Sequence, residues 1–278
     1  MRGLVERGRA ISRIIGAASV LFLPFAAPAS AEDEGLSELF GSLHLSAEQV
    51  ADYLSNAAPA AGEEKWLVRW EQDEVTLGIV ASAGVTAQMI DQAVSQIRNT
   101  FEYAGRRLDA CIRHWDRAAD LAGDAPKISS CESRSIEIDL LIDVSEASML
   151  GKINRPQLPS RLTSNELGVI WQRIRGAVLA QPNASLCTGA VIADATARNL
   201  MAGAAIVRPA LEQNKLLTVF HCARDLGYLL LGSVPIPDTV GTGGTWNGSL
   251  LKLLYSPAFR SGESRSEVLA KLRALPSN

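Results

Sequence analysis

The sequence predicts an α+β fold: a short mixed sheet, a long helix in the C-terminal half, and two disulfides. Three observations carry this. Helical stripes alternate with short apolar runs, and no internal repeat intervenes. Val219–Ser233 is one long apolar stretch that stops at Gly232, the residue type that most often terminates a helix. Cys111, Cys131, Cys187 and Cys222 form an even set of cysteines.

Residues 1–31 read as an export signal. Arg2, Arg7, Arg9 and Arg13 precede the apolar run Ile14–Ala27, and Ala29-Ser30-Ala31 offers the small residues that a signal peptidase needs. The run is shorter than the roughly 18–20 residues of a bilayer span, so cleavage is expected rather than anchoring. The mature chain is therefore expected in the periplasm or secreted, with no membrane association. Residues 32–64 read as a polar linker followed by a helix around Ser46–Asn56. Ser46 caps that helix, with Gln49 three residues on. Ala57–Gly62 is a linker. Residues 65–278 are expected to form a single domain.

Within it, Lys65–Trp70 and Val75–Ala81 read as strands around a charged turn. The alternation of KWLVRW puts Trp66, Val68 and Trp70 on one face. A long helix follows Thr86, with Met89, Ile90, Ala93, Val94, Ile97 and Phe101 as its buried stripe. Leu108–Cys131 reads as irregular. Ile136–Val144 is the clearest strand, with Ile136, Ile138, Leu140 and Ile142 inward and Glu137, Asp139 and Asp143 outward. Asn154–Ser160 reads as a loop and Glu166–Leu179 as a helix. Leu186–Ala193 and Ala202–Val207 are short strands, and Leu211–Leu231 is the longest helix. Pro235–Gly248 reads as a loop. Helices Ser249–Tyr255 and Ser264–Ala274 close the chain, the last with Ser264 and Glu267 as a capping box.

The four cysteines allow three pairings. Cys111–Cys131 and Cys187–Cys222 close the shorter loops, and each bridge would stabilise by about 3 kcal/mol in the loop-entropy picture. Zinc ligation is the rival reading, but no CxxC pair is present. The formal net charge is −3, and no Lys/Arg run appears, which argues against nucleic-acid binding.

Catalytic patterns are sparse. There is no HExxH and no GxSxG. Thr242-Gly243-Gly244-Thr245 lacks the lysine of a phosphate loop and reads as a flexible loop. His221 and Asp225, one turn apart, could form half a metal site, with His114, Glu263 or Glu267 as the third ligand. A surface histidine beside an aspartate is the commoner arrangement. Glu137 and Asp139 share a strand face, more simply as a solvated surface than as a glycosidase pair. Trp66 and Trp70 fit packing better than a sugar platform.

The C-terminal hundred residues resemble domain-of-unknown-function family 2927, an uncharacterised family of exported bacterial proteins. The resemblance lies in Cys222, Asp225, Leu231 and Gly232 of the long helix, in Cys187 and the strand Ala202–Val207, and in the tail Leu250–Ser264. It implies a relative of the zincin metalloproteases with an altered active helix. In that register HExxHxxG is met by Asp225, Leu226, Leu229 and Gly232. Asp225 keeps an acidic first position. Leu226 stands where the general base belongs and Leu229 where the second ligand belongs. The implied protein is a degenerate zincin-like domain with no metal, no cofactor and no catalytic residues. It would bind an envelope protein or a cell-wall component. The alternative is an envelope hydrolase of peptide or peptidoglycan, using His221, Asp225 and a third group near Pro235–Gly248.

Overall fold

A computed structural model of the chain describes residues 31–55, 64–81, 84–115, 125–131, 138–144, 186–194, 198–208, 215–233 and 243–275. The elements are α1 (Ala31–Gly41), α2 (Ala47–Leu54), β1 (Glu74–Ala81), α3 (Ala87–Tyr103), β2 (Arg107–Trp115), β3 (Leu140–Val144), β4 (Leu186–Ala193), β5 (Leu200–Arg208), α4 (Lys215–Leu230), α5 (Gly243–Leu254) and α6 (Arg265–Ala274). The five strands form one mixed sheet in the order β2-β1-β3-β5-β4. β1 runs parallel to β2 and β3, β3 runs parallel to β5, and β4 lies antiparallel to β5 at the edge. The fold is α+β, with both disulfides, Cys111–Cys131 and Cys187–Cys222, in place.

The caps behave as their residue types require. Ser46 and Gln49 close a capping box on α2, Thr86 accepts the Met89 N–H at the start of α3, and Ser264 with Glu267 closes α6. The predicted stripe of α3 is buried along its length. It packs on the sheet face formed by Val75, Leu77 and Ile79 of β1 and by Leu140 and Ile142 of β3. Val219, Cys222 and Leu226 of α4 join the same core. α3 and α4 approach closely because Gly227 has no side chain: a Cβ there would lie 2.7 Å from Thr100 Oγ1. α1 and α2 belong to this core through Leu36, Leu43, Val50 and Leu54. Arg265 grips Asp52 with two bonds of 2.7 and 3.1 Å, fixing α2 against α6. That guanidinium holds the Asp52 carboxyl below its ordinary value.

Several elements depart from the sequence expectation. The start of the polar linker after residue 31 is helix α1, because Leu36 is buried and Leu39 and Phe40 pack on the core. Leu108–Cys131 begins with strand β2, which pairs with β1 over its whole length. Gly243–Thr245, expected as loop, lies in the first turn of α5, where burial of Leu250, Leu251, Leu253 and Leu254 outweighs weak local propensity. Lys65–Trp70 is extended but pairs with the C-terminal turn rather than with β1. Its Leu67 N–H bonds Glu263 O at 2.9 Å, and its Leu67 carbonyl accepts from Gly262 at 2.8 Å. Residues Leu67 through Trp70 are all buried, so no alternating face exists there. The expected segments Ala57–Gly62, Asn154–Ser160 and Glu166–Leu179 lie outside the described residues.

Strand β3 is the sharpest correction. Asp139 and Asp143 are buried rather than outward; Asp143 has no exposed surface, and Thr76 N–H donates to Asp139 Oδ2 at 2.9 Å. The reason is position. β3 is central and has parallel neighbours on both sides, and such strands are covered on both faces. Glu137 lies outside the described residues.

Candidate functional site

Helix α4 is the element on which the functional expectation turns. It is apolar around most of its circumference, with Thr218, Val219, Cys222, Ala223, Leu226, Gly227, Tyr228 and Leu230 buried. Helices of this composition sit inside a fold. The disulfide Cys187–Cys222 clips α4 to edge strand β4 with a Cα–Cα distance of 5.3 Å.

Its C-terminus is closed on all sides. Gly232 has φ +82°, Gly232 N–H bonds Leu229 O at 3.0 Å and Ser233 N–H bonds Tyr228 O at 3.0 Å, the paired bonds of a Schellman motif. Two further carbonyls are met from outside the helix. Trp70 Nε1 donates to Leu230 O at 2.7 Å, and Tyr255 Oη donates to Leu231 O at 2.9 Å while accepting the Trp70 N–H at 3.2 Å. Burial pushes the Tyr255 phenol far above its ordinary value, so it stays a neutral donor at any working pH. Arg106 and Arg69 stand 5.1 and 5.9 Å from the Tyr255 ring centre. Arg69, itself buried, donates to the carbonyls of Leu254 and Ser256 at 2.9 and 3.0 Å and so closes α5 as well.

Gly232 permits no other residue. A Cβ there would lie 2.5 Å from the Val68 carbonyl oxygen, and the left-handed backbone disfavours any L side chain. Gly232→Ala is expected to lower the unfolding free energy by at least about 1–2 kcal/mol from the dihedral alone. Chemical denaturation reads it, and a wild-type midpoint would contradict the geometry.

The four zincin-register positions land as follows. Asp225 is half exposed and paired with its neighbour, Arg224 Nε donating to Asp225 Oδ1 at 3.0 Å. Leu226 points into the core with 3% of its surface exposed. Leu229 sits over Gly189 of β4, where a Cβ would lie 3.0 Å from Leu229 Cδ2. Gly232 is the helix stop. His221 is exposed. The two positions that would need an oxygen or nitrogen donor thus hold hydrocarbon seated against the sheet.

The residues weighed as a third ligand are engaged elsewhere. Glu263 accepts from Lys271 Nζ at 2.6 Å, and Glu267 accepts the Ser264 N–H at 2.8 Å in the α6 cap. His114 lies on β2, the sheet edge opposite the strand to which α4 is clipped. Among the described residues no three His, Cys, Asp or Glu side chains converge as a metal site. Trp66 and Trp70, expected on one face, are separated. Trp70 is in the core, while Trp66 is half buried with the Arg198 guanidinium over its ring. Sequence reading singled out neither Arg69 nor Tyr255, and neither residue type carries a local signal for capping distant helices.

No family model, no curated protein and no solved structure matches this chain.

Proposed function

We propose that this chain is an exported, non-catalytic binding domain on a degenerate zincin-like scaffold, acting in the periplasm or outside the cell on an envelope protein or a cell-wall component. One observation carries the reading. Leu226 and Leu229, in the register of general base and second ligand, are absorbed by the core and by β4. A hydrolytic zinc centre needs donor atoms around an open coordination position and a carboxylate beside it. The zincin likeness draws support from the mixed sheet followed directly in sequence by the long helix. Export draws support from the leader pattern and from two disulfides, which persist in oxidising compartments. Among the described residues no helix is long and apolar enough to cross a membrane.

Co-sedimentation with purified peptidoglycan sacculi tests the reading. The expected result is retention of the chain in the pellet with no soluble muropeptides released on prolonged incubation. Release of fragments that stops in His221→Ala and Asp225→Ala variants would establish the hydrolase instead.

A further inference from the structure

The polar stripes of three helices meet on the far side of α4 from its clip to β4. Gln96, Asn99 and Tyr103 of α3, Arg224 and Tyr228 of α4 and Lys252 of α5 line an open cleft of about 530 Å³. That volume lies in the range of small-molecule sites. Thr100 of α3 also lines it and packs tightly on Gly227 of α4, where a Cβ would lie 2.7 Å from Thr100 Oγ1.

The lining has a consistent chemistry. No carboxylate is among the described residues that line it, although the formal net charge of the whole chain is −3. Arg224 is balanced by Asp225, whereas Lys252 is exposed and forms no ion pair among the described residues. Tyr103 stands at the rim with 57% of its surface exposed, one of two large hydrophobic side chains so exposed among the described residues. Gln96 and Asn99 add side-chain amides that both donate and accept. A phosphate group favours several converging cations or a nest of backbone N–H groups. A single ammonium beside an aromatic face and two amides suits a sugar ring that bears one carboxylate.

We propose that this cleft binds an acidic sugar, its ring against Tyr103, its carboxylate on Lys252 and its hydroxyls on Gln96 and Asn99. The assignment deepens the binding reading above and rests on it. A muramic-acid residue and a uronic acid share this chemistry.

Titration calorimetry on the exported, purified chain decides the matter with three probes: the N-acetylglucosamine–N-acetylmuramic acid disaccharide, digalacturonate and neutral chitobiose. At least one acidic probe is expected to bind, and whichever it is names the source. Chitobiose is expected to bind at least about tenfold more weakly, the size of a lost charge-assisted bond. Lys252→Ala should lower affinity for the acidic probe by a similar factor. Gly248→Trp should abolish binding, because a Cβ at Gly248 meets nothing within 4 Å and the indole would fill the cleft. Should Gly248→Trp lower the melting temperature, the exposed Lys252→Ala variant decides alone. Absence of binding by both acidic probes, equal binding of chitobiose, or wild-type affinity in Lys252→Ala would overturn the assignment. Mass spectrometry of the recovered probe separates the two claims. A bound but cleaved probe sinks the non-catalytic reading and leaves the cleft standing; an intact probe that never binds does the reverse.

Discussion

Replacing Trp70 with alanine is expected to lower the unfolding free energy by about 3–5 kcal/mol, the usual cost of deleting a buried indole. Trp70 has no exposed surface, and it is the only side chain that meets the Leu230 carbonyl among the bonds described at the end of α4. Removal therefore opens a cavity and orphans an acceptor at once. Trp70→Phe divides the two effects. It retains most of the apolar volume and leaves the carbonyl without its indole donor, at about 1–3 kcal/mol. Denaturation midpoints at unchanged slope read both variants. A Trp70→Phe midpoint equal to wild type would show that the indole bond contributes nothing to holding α4.

Leu226→Glu is expected to be at least as damaging and to carry a pH signature. The side chain at this position is 3% exposed, so a carboxylate there would lose its hydration without gaining a partner. Burial would raise its pKa above the unfolded value of about 4.3. The folded variant would then hold a proton that the unfolded chain has released, so its stability falls as pH rises through and beyond that value. The variant should be closest to wild type near pH 4 and weakest near neutrality. A pH-independent loss would mean that the glutamate reaches solvent. In that case the register position could host a polar catalytic group after all. Placing a carboxylate at this position is thus expected to destabilise the fold rather than to create a site.

Much of the fold was legible because its signals are local. The α3 stripe, the Ser46 and Ser264 capping boxes, the Gly232 stop and the cysteine pairing all depend on spacings within one element or on short loops. What was misread depends on distant neighbours. The alternation in Lys65–Trp70 suggested a two-faced strand, yet its backbone partners are Gly262, Glu263 and Arg265, about two hundred residues away, and Leu200 of β5. Asp139 and Asp143 looked solvated because charge usually marks an outer face, but β3 became the middle strand of the mixed sheet, with parallel neighbours on both sides. Gly243–Thr245 looked like loop because the leucines that hold α5 follow it.

The candidate site shows the same division. That Leu226 and Leu229 lack donor atoms was plain from their identity, whereas their seats in the core and on Gly189 needed the packed structure. The Arg69–Trp70–Tyr255 lock and the cleft beside Lys252 were invisible to sequence, since each gathers side chains from separate helices and turns.

The most direct test is the metal content of the purified chain, measured by elemental analysis after dialysis against buffer containing a trace of zinc. Hydrocarbon at positions 226 and 229 predicts zinc far below one equivalent, unchanged by His221→Ala or Asp225→Ala. One tightly held equivalent that disappears in those variants would contradict the account.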